Sequence, residues 1–415
     1  MKMSRFEQMA VFPTVVRWSL LSSLVGLLSG VASAVFLYSL QWVTTFRELH
    51  GWIVALLPAA GLLIGWIYSR YGSSVESGSN LIIDEIHDPK AVTPIRMTPL
   101  ILFGTLITHL FGGSAGREGT AVQMGASLAD RLTKPFRLSN EDRKLILMAG
   151  MSAGFGSIFG TPIAGAIFGL EVLSVGRLRY DAILPCLLAS LVGDRVTQSL
   201  GIVHTLYDVG TVPVLRIGRF LAVAAAGLLF GLVGSLFSAM THAISEKSKA
   251  RIKNPVVRPA VGGLIVAVAI LALGFGRYAG LGVPVMQEAL GGHVLPWDFI
   301  AKLILTAITL GFGFKGGEVT PLFFIGATLG CTLGWIPGSP LSPALLAGVG
   351  FVAVFAGAAN TPISSTILAM EMFGAALGPY AAVGCVVSYL FSGHAGIYRT
   401  QRIGVRKYGA MTVGD

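Results

Sequence analysis

Residues 113–120, GSAGREGT, and residues 313–320, GFKGGEVT, are two versions of one glycine-rich phrase. Their glutamates, Glu118 and Glu318, lie 200 residues apart. Working outward, Gly125-Ala-Ser-Leu128 lines up with Gly326-Ala-Thr-Leu329, Thr161-Pro162-Ile163 with Thr361-Pro362-Ile363, and Glu171 with Glu371. One such pair could arise by chance. Several pairs in the same order, at an offset of 200 or 201 residues, imply a duplicated chain. The two repeats run over about 17–205 and about 217–398, and they form a single domain.

The phrases are set in apolar surroundings. Residues 19–46, 97–116, 145–170, 220–240 and 259–276 contain no Asp, Glu, Lys or Arg, and neither does the whole of 319–370. The hydrophobic set makes up 53% of the 415 residues and charged residues only 12%, half the ordinary share. These figures exclude a disordered chain, a nucleic-acid module and a soluble enzyme with a membrane tail. Glycine, at 54 of 415 residues, is close to twice its usual frequency, as in bundles whose helix backbones touch. With the weaker stretches near 52–69, 181–200, 299–314 and 379–398, the chain holds about ten to a dozen apolar segments of near-spanning length. Many are interrupted by Gly or Pro, among them Pro321, Pro337, Pro340, Pro343 and Pro362. The expected fold is an all-α polytopic membrane protein of two related repeats with broken and re-entrant helices. Such repeats put a substrate site near the bilayer midplane, where the halves meet.

Thirty Lys+Arg against twenty Asp+Glu give a net charge of +10. The excess collects in residues 1–17 (Lys2, Arg5, Arg17), in 244–258 (Lys247, Lys249, Arg251, Lys253, Arg258) and in the end segment 399–415. By the positive-inside rule all three face the cytoplasm, as expected of a multi-pass protein of the bacterial inner or plasma membrane. Loop 130–144 mixes its basic residues with Asp130, Glu141 and Asp142 and takes no assignment. The first apolar stretch is too long for a cleaved signal, and no appended domain is expected after residue 400. Cys186, Cys331 and Cys385 form no CxxC pair and no Cys/His cluster, so no disulfide framework, metal site or cofactor is indicated.

Three glycine-rich turns precede apolar segments: Gly78-Ser79-Asn80, Gly116-Arg117-Glu118-Gly119 and Gly316-Gly317-Glu318-Val319. A helix starting after each would aim its free amides, and its partial positive charge, into a shared space. Converging helix ends hold a small anion without a full counter-charge, which keeps binding weak enough for release. Glycine turns also serve plain capping and packing. Glu118 and Glu318 favour function, because an ionisable side chain in an apolar segment is expensive and rarely idle. Such a carboxyl can exchange a proton for an anion at one site, although Arg117 is an obvious ion-pair partner for Glu118. Glu171 and Glu371, at segment ends, are expected to be structural. Asp84-Glu-Ile-His-Asp88 is expected to be a solvated loop.

Gly116-Arg-Glu-Gly-Thr120 resembles the GREGP motif of the CLC chloride channels and chloride/proton exchangers. Gly78-Ser-Asn-Leu-Ile82 occupies the place of their GSGIP motif, and Gly317-Glu-Val-Thr-Pro321 that of GxFxP. Tyr398 matches their central tyrosine. Thr120 for proline, Asn80-Leu81 for Gly-Ile and Glu318 for an apolar residue are similar to the fluoride/proton antiporter branch. Ser79 keeps the serine of the chloride type. Val172 stands where the chloride/proton exchangers carry an internal proton-transfer glutamate.

The resemblance implies a CLC-like fold of two repeats, expected to be inverted, in a homodimer with one pathway per chain. It implies fluoride export in exchange for protons, with Glu118 as the gate. Ser79 and Tyr398 would close the inner side; Asn80, Gly119, Val319 and Thr320 complete the expected anion contacts. Glu318 is expected to take over the proton role that Val172 cannot perform. A chloride/proton exchanger and a passive anion channel on the same fold remain open. An intramembrane hydrolase is the reading from another class, since Gly112-Gly-Ser114-Ala-Gly116 fits GxSxG and His109 and His394 are present. A hydrolase elbow needs a preceding strand, and none is expected here.

Overall fold

The computed structural model describes residues 7–205 and 207–408, with side chains from residue 11 onward. Lys2, Arg5 and residues 409–415 of the basic end segment lie outside the described residues. The first half contains α1 (Glu7–Leu49), α2 (Leu57–Ile67), α3 (Ser79–His87), α4 (Met97–Leu110), α5 (Glu118–Asp130), α6 (Asn140–Phe159), α7 (Pro162–Glu171) and α8 (Ile183–Ser199). The second contains α9 (Ile217–Arg251), α10 (Val257–Ala272), α11 (Val283–Leu290), α12 (Asp298–Gly311), α13 (Val319–Gly334), α14 (Pro343–Ala359), α15 (Pro362–Phe373) and α16 (Gly378–Phe391). The same packing pairs recur in both halves: α1 with α8 and α9 with α16, α5 with α6 and α13 with α14, α6 with α8 and α14 with α16.

Three stretches, Val11–Leu49, Gly51–His87 and Ile217–Arg251, are long and apolar enough to cross a membrane. The other apolar stretches break where their sequence dictates. Residues 145–170 split between α6 and α7 at Gly160, which takes a left-handed φ of 74°, followed by Thr161 and by Pro162 at the helix start. Residues 319–370 split twice, and the second break repeats that between α6 and α7, with Asn360 at φ 58° before Thr361 and Pro362. Proline at the first helical position forfeits no hydrogen bond, because that amide has no partner inside the helix. Among the described residues the only strand pairing joins Ser174–Val175 to Arg402–Ile403.

Backbones touch where glycines face each other. A Cβ added to Gly125 of α5 would lie 2.3 Å from the Gly150 carbonyl oxygen of α6. The matching Gly326 of α13 would meet the Gly350 oxygen of α14 at 1.9 Å. The glycine excess therefore does steric work at corresponding places in each half.

Glu171 and Glu371 have reciprocal roles. The Glu171 carboxylate accepts the amides of Ile363 (3.0 Å) and Ser364 (2.8 Å) at the start of α15. Glu371 accepts those of Ile163 (3.0 Å) and Ala164 (2.7 Å) at the start of α7. Each half thus satisfies the orphan amides, and opposes the helix dipole, of the other.

The stretch Asp84–Asp88 is not a solvated loop. Apart from Asp88, which follows it, the stretch lies in α3, whose Ile82, Ile83 and Ile86 are buried, and Glu85 is buried beside them. The apolar spacing of those isoleucines makes one helical face, and Arg143 makes the acid tolerable there. Its guanidinium donates to Glu85 (2.8 Å) and to both oxygens of Asp130 (2.7 and 2.8 Å). The unassigned loop 130–144 is fastened in this way to the segment after α3, where Thr93 N also donates to Asp130 (2.7 Å). Arg17 reaches Asp142, Arg399 reaches Glu246, and Arg402 reaches Asp88, so the basic segments gather at one end of the bundle. Replacing Arg143 by Met would strand two buried carboxylates. A loss of about 3–5 kcal/mol is expected, read as a lower Tm in detergent, whereas Arg17→Met at an exposed pair should change Tm little.

Candidate functional site

Gly116 and Gly317 exchange two backbone hydrogen bonds, Gly116 N to Gly317 O at 2.7 Å and Gly317 N to Gly116 O at 2.9 Å. This antiparallel bridge places the N-termini of α5 and α13 side by side. It requires bare backbone: a Cβ on Gly317 would lie 2.7 Å from Gly119 N, and one on Gly116 would lie 2.8 Å from a Glu118 carboxylate oxygen. Gly119 itself packs on the Gly317 Cα.

The fully buried Glu118 carboxylate is seated between the two helix ends. Its Oε2 accepts the Thr320 amide (3.0 Å) and the Arg117 amide (3.1 Å), and its Oε1 accepts the Thr320 hydroxyl. Arg117 Nε stands 3.7 Å from Oε1 and makes no hydrogen bond among the described residues. The carboxylate is therefore held by backbone and by Thr320 more than by the arginine next to it. Thr120, in the corresponding place, is turned elsewhere, pairing its hydroxyl with Thr105 at 2.6 Å.

Arg117 marks the boundary of a cavity of about 840 Å³ that also exposes Arg47, His204 and Arg277. A second cavity, of about 340 Å³, is lined by a different set of residues. Glu318, Ser79, Asn80, Tyr398 and Gln123 line it, together with Lys249 and Arg258 of the basic 244–258 segment. The two repeat-related glutamates thus occupy different environments: Glu118 is sealed, and Glu318 is half-buried at a cavity wall. All three glycine turns do precede helices, α3, α5 and α13, and Gly78 takes φ 58° to make its turn.

The site residues read from the sequence divide into two groups. Glu118, Gly119, Val319 and Thr320 cluster at the bridge, and Glu318, Ser79 and Tyr398 meet in the second cavity. Asn80 lines that cavity too, but its Oδ1 accepts the Thr400 amide and hydroxyl, both at 3.3 Å, and its carbonyl accepts the same hydroxyl (3.0 Å). Its side chain is tied to the C-terminal segment. Val172 gives its carbonyl to Gln401 and offers no titratable group. Ser114 follows a helix, is fully buried, and bonds Thr306 Oγ1 (2.9 Å) and Thr309 Oγ1 (3.2 Å). His109 points to the Gly116 carbonyl and not to Ser114, so these two form no Ser–His pair, and His394 accepts the Lys407 amide. Gln123 was not singled out from sequence. Its signal was its place on α5, five residues beyond Glu118.

The family described as voltage gated chloride channel matches residues 60–393. A chloride/fluoride channel protein of Pseudomonas syringae pv. tomato is 52% identical over 413 residues, covering 98% of this chain and 91% of that protein. The H(+)/Cl(-) exchange transporter ClcA of Cronobacter sakazakii is 28% identical, over 85% of this chain and 81% of its own length. Among solved structures, that of a CLC-type fluoride/proton antiporter superimposes with a TM-score of 0.90 at 35% identity, covering 97% of this chain and all of that one. A cyanobacterial Cl-/H+ antiporter shares the fold, with a TM-score of 0.81 over 92% of this chain.

The bridge should tolerate no side chain. Gly317→Ala is expected to push the two helix ends apart, costing about 1–3 kcal/mol of packing strain and abolishing anion flux in liposomes. Gly218→Ala, at a helix position with open space around it, should leave flux unchanged.

Proposed function

Since this chain belongs to the family of voltage gated chloride channels, the CLC proteins, we propose that it exchanges fluoride for protons across the membrane and exports fluoride. Members of the family are multi-pass membrane proteins, and the apolar helices fit that setting. The observation that carries the reading is the seat of Glu118, whose carboxylate takes the amide and hydroxyl of Thr320 between two helix N-termini. Those donors are equally suited to a small anion. Carboxylate and fluoride therefore compete for one place.

A proton on Glu118 removes the negative charge that the helix ends attract. The side chain then leaves its seat, and fluoride enters. Deprotonation returns the carboxylate and expels the anion toward the open side. Exchange follows from this competition without any hydrolysis of a nucleotide. Fluoride is small and strongly hydrated, so several short N–H and O–H donors are needed to replace its water. Gly119, Val319 and Thr320 supply them at the bridge, and Ser79 and Tyr398 at the second cavity. Glu318, at that cavity's wall, is the second proton carrier, standing in for the carboxyl that Val172 lacks.

The cavity with Glu318 faces the cytoplasm in this reading, because Lys249 and Arg258 line it and the basic segments gather at its end of the bundle. The repeats are inverted halves of one transport domain, and two chains form a homodimer with a pathway in each. The 52% identical relative carries the name of a channel, which favours passive flux as a second reading.

Reconstituted protein under a fluoride gradient separates the two. Exchange predicts uphill proton movement and a reversal potential shifted from that of fluoride alone; a channel moves no protons and reverses at the fluoride potential. Glu118→Gln should reduce proton movement to background. Glu318→Ala should diminish proton movement per fluoride, and undiminished coupling in that variant would remove Glu318 from the proton route. Running chloride in the same liposomes reads the selectivity.

A further inference from the structure

Gln123 extends from α5 into the cavity that holds Ser79, Tyr398 and Glu318, and only 6% of the residue is exposed. Its amide lies flat on Gly78: a Cβ at that glycine would sit 3.0 Å from Nε2, 3.1 Å from Oε1 and 3.2 Å from Cδ. The near-equal distances fix the amide plane over the glycine. They also give Gly78 a second reason to lack a side chain, besides its φ of 58°. Nε2 donates to Ser79 Oγ at 3.4 Å, a long bond that leaves much of the donor's strength unused.

The direction of this bond has a chemical consequence. A serine hydroxyl that accepts an N–H keeps its own proton free to donate. Ser79 is thereby set to present its O–H to an anion. Among the described residues Gln123 donates to no side chain or carbonyl but Ser79, and it borders the cavity. The neighbouring amide, Asn80, is held at its oxygen, which accepts the Thr400 amide and hydroxyl, and it lines the same cavity beside Gln123. The nearby Lys315 has its ammonium 3.9 Å from the Tyr68 ring centroid, where it stacks on the ring face.

We infer that Gln123 is an anion-binding and specificity-determining residue of the Glu318-side cavity: one amide hydrogen orients the Ser79 hydroxyl and the other meets the anion directly. A neutral amide suits this place. The anion must pass the Glu318 carboxyl in the same cavity, so some attraction is needed, while a full positive charge would hold it too long. Short N–H donors also reward fluoride over chloride, because the smaller ion draws them closer and gains more per contact.

The inference deepens the proposed fluoride/proton exchange and rests on it for the identity of the ion. Its test uses the full chain in liposomes, with fluoride or chloride varied on the Glu318-side face alone and proton movement recorded in parallel. Gln123→Met keeps the length and removes both donors. It should raise KM for fluoride on that face by roughly tenfold or more, the size of one hydrogen bond to a charged group, and lower the fluoride/chloride ratio. KM on the opposite face and protons moved per fluoride should stay as in the unaltered protein.

Gln123→Glu keeps the shape and places an acceptor against Ser79 and the anion, so its loss should be larger. Unaltered KM and selectivity in both variants would overturn the inference, as would a Gln123→Glu protein that works normally. Equal losses on both faces would assign Gln123 to packing and overturn it too. If Gln123→Met does not fold, the isosteric Gln123→Glu decides. Failure of the unaltered protein to move protons uphill would overturn the exchange reading instead, leaving the one-sided KM shift still measurable.

Discussion

Two backbone hydrogen bonds between Gly116 and Gly317 set the terms for everything around them. They bring the amino ends of α5 and α13 to the same point, and no residue with a Cβ can stand at either position without collision. Once the ends meet, their unpaired amides and partial positive charges need an acceptor. Glu118 is that acceptor in the structure, held by Thr320 from the other half. That requirement for an acceptor is what the proposed exchange uses, with a carboxylate and an anion competing for one place.

The rest of the bundle serves to keep the two halves in this relation. Glu171 and Glu371 cap the opposing helices α15 and α7, and glycine pairs draw α5 onto α6 and α13 onto α14. These contacts come in matched pairs, one member in each half. The chemistry departs from that symmetry. Thr320 bonds Glu118 while Thr120 bonds Thr105, and Glu118 is sealed while Glu318 borders a cavity. A transporter needs its two sides to differ, and here the difference is made by a few side chains on packing pairs that recur in both halves.

Much of this was legible in the sequence. The repeated phrases around Glu118 and Glu318, the breaks at Thr161-Pro162 and Thr361-Pro362, and the scarcity of charge between them all follow from local chemistry. Asp84–Asp88 was misread because a run of three acids with a histidine looks solvated in isolation. The burial of Glu85 within it depends on Arg143, 58 residues away, and sequence spacing carries no signal for that contact. The same holds for Asn80, whose partner Thr400 lies 320 residues away. Gln123 was passed over because a lone glutamine on a helix carries no charge pattern to mark it.

By itself the sequence determined that the chain is a duplicated, helical membrane protein with two rare carboxyls at matching positions, because burial in lipid penalises charge wherever it falls and periodic breaks are written residue by residue. Only the tertiary structure decided that Glu118 rests on Thr320, that the Asn80 oxygen accepts from Thr400, and that Gln123 shares a cavity with Ser79 and Glu318. Those outcomes turn on hydrogen-bond partners brought together across the two halves. A donor's direction is set by where the chain returns in space, and the local sequence holds no record of that.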